Sequence, residues 1–129
     1  VSLPKYEERE KYSSTDFGNE IKYMKFHYSD VGADELNNSP YLRPVNEKNV
    51  ASVRSHISHY ERYAHKDTEF LKSYDFDIDT IEKGDYFYVD ALDLYDYGSP
   101  YSDDYKIYYF DIETQTLYYF YNKLEIKPN

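Results

Sequence analysis

The chain has 129 residues, a net charge of −10 and no cysteine. A chain of that length fits one domain that buries roughly two-thirds of its unfolded surface, here without disulfides or thiolate-bound metal. The acidic balance disfavours direct nucleic-acid binding, which needs a basic face, and no apolar run approaches the roughly 18 residues of a membrane span.

Two further features of composition shape the reading. Nineteen tyrosines and seven phenylalanines stand against no tryptophan and a single methionine. A tyrosine ring can fill a core while its hydroxyl stays at water or at a hydrogen-bond partner, so a polar chain of this kind can still fold. The charge is also segregated. Residues 67–111 carry thirteen acids against three bases, whereas acids and bases balance on either side of that segment. Such a field favours a cationic partner, a divalent metal or simple solubility.

In chain order, residues 1–18 are polar, with Lys and Glu interspersed, and read as a short helix or an ordered arm. The sequence opens VSLPKYEEREKYSS without Met, and the expectation is that a leading signal segment has been trimmed. EIKYMKFHY, from Glu20 to Tyr28, alternates and is rich in Ile, Tyr and Phe, which favours a strand. The stretch SDVGADELNNSPYLRP reads as a loop from its Asp, Asn, Gly and Pro content. After Asn46, an N-cap candidate, Val50, Val53, Ile57, Tyr60 and Ala64 recur at offsets of three and four. This spacing predicts a helix over about 47–65 with one apolar stripe facing a sheet.

DTEFLKSYDF adds a last turn or a short second helix. Then the period changes to two: DYFYVDA sets Phe87, Val89 and Ala91 against Tyr86, Tyr88 and Asp90. YKIYYFDI and TLYYFYNKL flank Glu113-Thr114-Gln115, a short polar connection suited to a hairpin. Both of these strands are aromatic on both faces, which means burial on both sides or one face paved with tyrosines. The expected architecture is one α+β domain over 1–129, with a main helix on an antiparallel sheet of about four strands. An exposed aromatic hairpin could pair edge to edge with another copy, unless the arm 1–18 covers it.

Several constellations invite a chemical reading. Asp75, Asp77 and Asp79 occupy the first three ligand positions of an EF-hand-type loop. The glycine expected at position 6 is Thr80, however, and the bidentate acid expected at position 12 is Tyr86. The aspartates then cap local N–H groups, while Tyr74, Phe76 and Ile78 pin the chain to the core and Gly84-Asp85 turns it into a strand. His56 and His59 are spaced to share a metal on one helix, but His65 falls on another face and no third ligand is evident. His27 sits in an aromatic strand and reads as a packing residue. Ser55 and Ser58 neighbour the two histidines only in sequence, and no nucleophile elbow is present. No catalytic residue and no cofactor are called for. The best candidate for recognition is the acidic, tyrosine-rich loop from Asp93 to Tyr105. Its rigid aromatic contacts are Tyr95, Tyr97 and Tyr101, and Asp93, Asp96, Asp103 and Asp104 would attract cationic groups.

The C-terminal half also carries a resemblance. YDFDIDTIEKGDYFYV, a variable loop, then YKIYYFDIETQTLYYFYNKL is similar to a group of uncharacterised lipoproteins from Clostridia and related Firmicutes. In that group a helix precedes a YDFD…GDYFY segment, and a YYFDxETxTLYY hairpin closes the domain. The match runs from about Val50 to Leu124. It implies a lipid-anchored protein displayed outside the membrane of a Gram-positive bacterium, and no established activity. The expectation is therefore a non-enzymatic extracellular or membrane-anchored binding protein of the envelope, with a cationic protein or a cell-surface component as partner. An acidic inhibitor or immunity-type protein that blocks a basic enzyme surface is the first alternative, and a small hydrolase the second.

Overall fold

The structure, a computed structural model, describes residues 3–15, 19–91 and 104–124. Within them lie strand β1 (Glu8–Ser14), β2 (Asn19–His27), helix α1 (Asp30–Asn37), β3 (Arg43–Pro44), α2 (Val50–Ala64) and α3 (Thr68–Leu71). A 3-10 turn (Ile78–Thr80), β4 (Tyr86–Ala91), β5 (Tyr105–Asp111) and β6 (Thr116–Leu124) follow. The six strands form one antiparallel sheet in the order β1-β2-β6-β5-β4-β3. The domain is α+β as the periodicities imply, with six strands and three helices among the described residues where about four strands and one main helix are expected.

Three differences have physical causes. Residues 8–14 are ordered as a strand and not as a helix: Glu8–Ser14 pairs along β2 from Glu8–His27 to Ser14–Ile21. The aromatic β5–β6 hairpin is therefore interior, flanked by β2 and β4. The sheet's edges are instead β1, where Glu8, Arg9, Glu10 and Lys11 alternate in sign, and the two-residue β3 with its proline. Short, charged or proline-bearing edges resist pairing with another chain. The stretch after Tyr28, which reads as a loop, holds α1. Ser29 caps it by accepting from the Gly32 N–H, and Ala33 and Leu36 are buried. Gly32 argues against a helix in the sequence, yet here the packing demands it. A Cβ at that position would lie 2.6 Å from the Tyr28 ring, so any other residue would push the ring away.

Helix α2 follows its pattern. The Asn46 side chain accepts from the N–H groups of Lys48 and Asn49, at 2.8 and 3.1 Å, and Val50 N–H donates to the Asn46 carbonyl. Val53, Ile57, Tyr60 and Ala64 are buried against the sheet, each large apolar side chain contributing about 1.5–3 kcal/mol. Two polar ties fix the helix in place: the Tyr60 hydroxyl donates to the Lys22 carbonyl at 2.7 Å, and Arg54 donates to the Ile81 carbonyl at 3.1 Å.

Strand alternation divides the sheet residues into two faces. Ile21, Tyr23, Ile107, Tyr109 and Phe120 pack under α2 with Phe70, Phe76 and Ile81. On the reverse face Phe26, Phe110 and Leu117 pack with Tyr28, Ala33 and Leu36 of the α1 region. Beyond the reach of α1, the reverse face continues with Tyr88, Tyr108, Tyr119 and Tyr121.

Candidate functional site

The recognition residues expected in the 93–105 loop fall mainly outside the described residues. Tyr95, Tyr97, Tyr101, Asp93, Asp96 and Asp103 all lie there, and Asp104 is described as a half-buried residue just before β5. The strands on either side of it, β4 and β5, pair with each other and set Ala91 opposite Tyr105.

The three alternating aspartates are exposed, with Phe76 buried between them. They do not converge. Asp75 receives Lys25 Nζ at 2.6 Å and the Tyr23 hydroxyl at 2.7 Å, tying the segment to β2. Although partial burial opposes it, these two donors hold the Asp75 carboxyl below the usual range. Asp77 accepts from the Asp79 N–H at 2.9 Å and so caps the 3-10 turn. Among the described residues no three His, Asp or Glu side chains gather into a metal-ligating group. His56 and His59 pack inward from α2, where burial, aided by the proximity of His59, lowers the His56 pKa. The His59 ring lies 5.8 Å from that of the buried Tyr105. His27 belongs to a polar cluster rather than to aromatic packing: its Nε2 meets Glu10 at 2.8 Å and its Nδ1 meets Thr116 at 3.3 Å.

Sequence reasoning missed one buried acid. Gly84 adopts a φ of +94°, a conformation open to glycine. It turns the chain so that Asp85 enters the core with no exposed surface. One carboxyl oxygen accepts the Tyr109 hydroxyl, the other the Ile112 N–H at 3.1 Å. Burial pushes the Asp85 carboxyl up to about 6, against the pull of those two donors. A raised acid is what a hydrolase needs, but this one is sealed by its own partners. Its work is to lock the start of β4 to the β5–β6 turn. The Gly-Asp pair signals a turn in the sequence; the partners that bury it come from residues 24 and 27 positions away.

A cavity of about 520 Å³ lies beside Ser14, Asp67 and Ser73. Its carboxylate is committed as well. Asp67 caps α3 through the N–H groups of Glu69 and Phe70, and it accepts from the Ser14 hydroxyl.

The remaining feature is the tyrosine row. Tyr88, Tyr108 and Tyr119 stand directly opposite one another across β4, β5 and β6. Their ring centroids are 6.2 Å apart for Tyr88–Tyr108 and 5.1 Å for Tyr108–Tyr119. Tyr121 extends the row at 6.3 Å from Tyr119, and Tyr41 at 6.1 Å from Tyr88. Lys22 Nζ sits 5.1 Å over the Tyr121 ring, a favourable cation–π placement. Tyr88, Tyr108 and Tyr119 are half-buried, and Tyr41 is 47 % exposed. Partial burial raises the hydroxyl pKa of Tyr108 and Tyr119 above the ordinary tyrosine value, so these two hydroxyls are neutral donors at physiological pH.

These rings differ chemically from four of the tyrosines under α2. There, Tyr23, Tyr60, Tyr74 and Tyr109 each spend the hydroxyl on a protein acceptor: Asp75, the Lys22 carbonyl, Glu61 and Asp85. Tyr88, Tyr108 and Tyr119 make ring contacts but give their hydroxyls to no acceptor among the described residues. Such a row offers rigid apolar area and unspent donors side by side, which suits non-covalent recognition. No family model matches the chain, and neither does any curated protein or solved structure.

Proposed function

We propose that this domain is a non-enzymatic binding protein of the cell envelope, with the tyrosine-bearing end of its sheet as the contact surface. The observation that carries the reading is the contrast between core tyrosines with committed hydroxyls and the Tyr88–Tyr108–Tyr119 row without them. Display outside the membrane, through a lipid anchor ahead of the domain, follows the resemblance of the YDFD…GDYFY and YYFDxETxTLYY segments to lipoproteins of Clostridia.

Support against a catalytic role comes from the acids themselves. The one acid described with a strongly raised pKa, Asp85, is buried without access. The test is a triple variant, Tyr88→Ala/Tyr108→Ala/Tyr119→Ala, compared with the unaltered protein for retention on an isolated envelope fraction. Retention lost in the variant, with the far-ultraviolet spectrum unchanged, is the expected result; retention undiminished would refute the site. Capture that instead selects a basic protein and collapses steeply with salt would favour the inhibitor reading.

A further inference from the structure

The charge on the tyrosine face runs against the rest of the chain. Residues whose registers place them on that face include Arg9 opposite Phe26, Lys11 opposite Met24, and Lys22 and Lys106, each opposite Tyr121. Lys123, opposite Glu20, adds another cation. Against them stand Glu20 and Asp90 on the strands. A protein with a net charge of −10 thus concentrates cations on the sheet face that carries the Tyr88–Tyr108–Tyr119 row. Lys11 and Lys22 rim a cavity of about 210 Å³ whose floor is Met24, Tyr108 and Tyr119, with Leu3 at its side. Lys22 is held there by Glu20 at 3.3 Å and by the Tyr121 ring.

From this juxtaposition we infer that the tyrosine face binds a sparsely anionic polysaccharide, which rests on the binding role proposed above and names its ligand class. A pyranose ring has one apolar face that packs on an aromatic ring, and hydroxyls that accept and donate at its rim. Tyrosine meets both needs, and phenylalanine would meet only the first. The ammonium groups of Lys11 and Lys22 stand where a carboxylate or phosphate borne on such a sugar would lie. A nucleic acid also stacks on aromatics between cations, but it brings a charge on every nucleotide into the field of a strongly acidic protein. A polymer with an anion only on some units gains the local lysine contacts with less of that long-range repulsion.

The experiment is calorimetric titration of the intact domain with hyaluronate oligosaccharide, which carries one carboxylate per disaccharide, at low and at physiological salt. Its methyl ester, which keeps the sugar and loses the charge, and oligothymidylate are titrated alongside. Binding of the hyaluronate oligosaccharide, weakened in the methyl ester, is expected. In Lys11→Gln/Lys22→Gln, both exposed enough to leave the fold intact, affinity falls roughly fivefold to tenfold and its salt dependence flattens. Absence of binding to the hyaluronate oligosaccharide overturns the inference, as does tighter binding of oligothymidylate. Equal affinity for the acid and its ester, unchanged in the lysine variant, overturns the anionic class and leaves the binding role standing. Binding retained in the triple tyrosine variant overturns the binding role at this face itself.

Discussion

The two faces of this sheet use one residue type for opposite purposes. Under α2, tyrosine acts as an oversized phenylalanine with a built-in tether: Tyr60 is fully buried and its hydroxyl reaches the Lys22 carbonyl across the sheet. On the reverse face, Tyr88, Tyr108 and Tyr119 remain half-exposed with their hydroxyls directed to no described acceptor. A buried hydroxyl without a partner costs about 1–3 kcal/mol, so the acceptors of Tyr23, Tyr60, Tyr74 and Tyr109 are part of the fold. A half-exposed one answers to water and is available for another molecule. Tyrosine count alone therefore says little about function; the fate of each hydroxyl says much more.

Truncation should separate the faces most strongly. Phe120 is fully buried and packs its ring against Tyr23, Tyr60 and Phe76. Phe120→Ala is expected to cost about 3–5 kcal/mol in urea denaturation, and Tyr88→Ala about 1 kcal/mol. Equal losses would erase the distinction between a structural and an available face.

A pH effect comes next in size and belongs to the α2 face alone. The Asp85 carboxyl, pushed up to about 6 from an ordinary 3.8, favours its neutral form in the folded protein. Its stabilising contribution is thus full below the unfolded value and is lost as pH rises through about 6. Stability should fall by at most about 3 kcal/mol between pH 4 and pH 7 from this group. Asp75, held low by Lys25 and Tyr23, acts in the opposite sense and loses its contribution as pH falls. Thermal melts of the unaltered protein and of Asp85→Asn across this range should diverge. Parallel curves would show that Asp85 does not set the slope.

The finest contrast is a single oxygen. Tyr60→Phe deletes the donor to the Lys22 carbonyl and should cost about 1 kcal/mol. Tyr108→Phe removes a hydroxyl with no described protein acceptor and should stay within about 0.5 kcal/mol of the unaltered protein. If Tyr108→Phe proved as destabilising as Tyr60→Phe, its hydroxyl would be structural and the tyrosine row would lose its claim to ligand contact.

The helix–sheet core was legible because its signal is local. Val53, Ile57, Tyr60 and Ala64 at three-and-four spacing state which face of α2 is buried, and period-two alternation in Tyr105–Asp111 announces a strand. Helix α1 was hidden because Gly32 lowers local propensity, and its reason, the Tyr28 ring above it, comes from tertiary packing. Asp85 was hidden for a similar reason, since its partners Tyr109 and Ile112 are supplied by another strand and turn. The tyrosine face was half legible. Alternation in TLYYFYNKL shows tyrosines on both sides of the strand, but only the position of α1 decides which of them stay uncovered. Of the recognition residues read from composition, Tyr95, Tyr97 and Tyr101 lie outside the described residues.

The alternating charges of β1 carry a consequence for crowding. Two copies joined edge to edge into one continuous sheet, related by a two-fold axis, must set residues of the same face opposite one another. Centred on Arg9, that register meets Arg9 with itself and Glu8 with Glu10; centred on Glu10 or Lys11, it again opposes like charges. Like charges directly opposite destabilise a strand pair. Neighbouring molecules packed side by side would thus be kept from zipping together at this edge, and each would keep its tyrosine face as a separate unit.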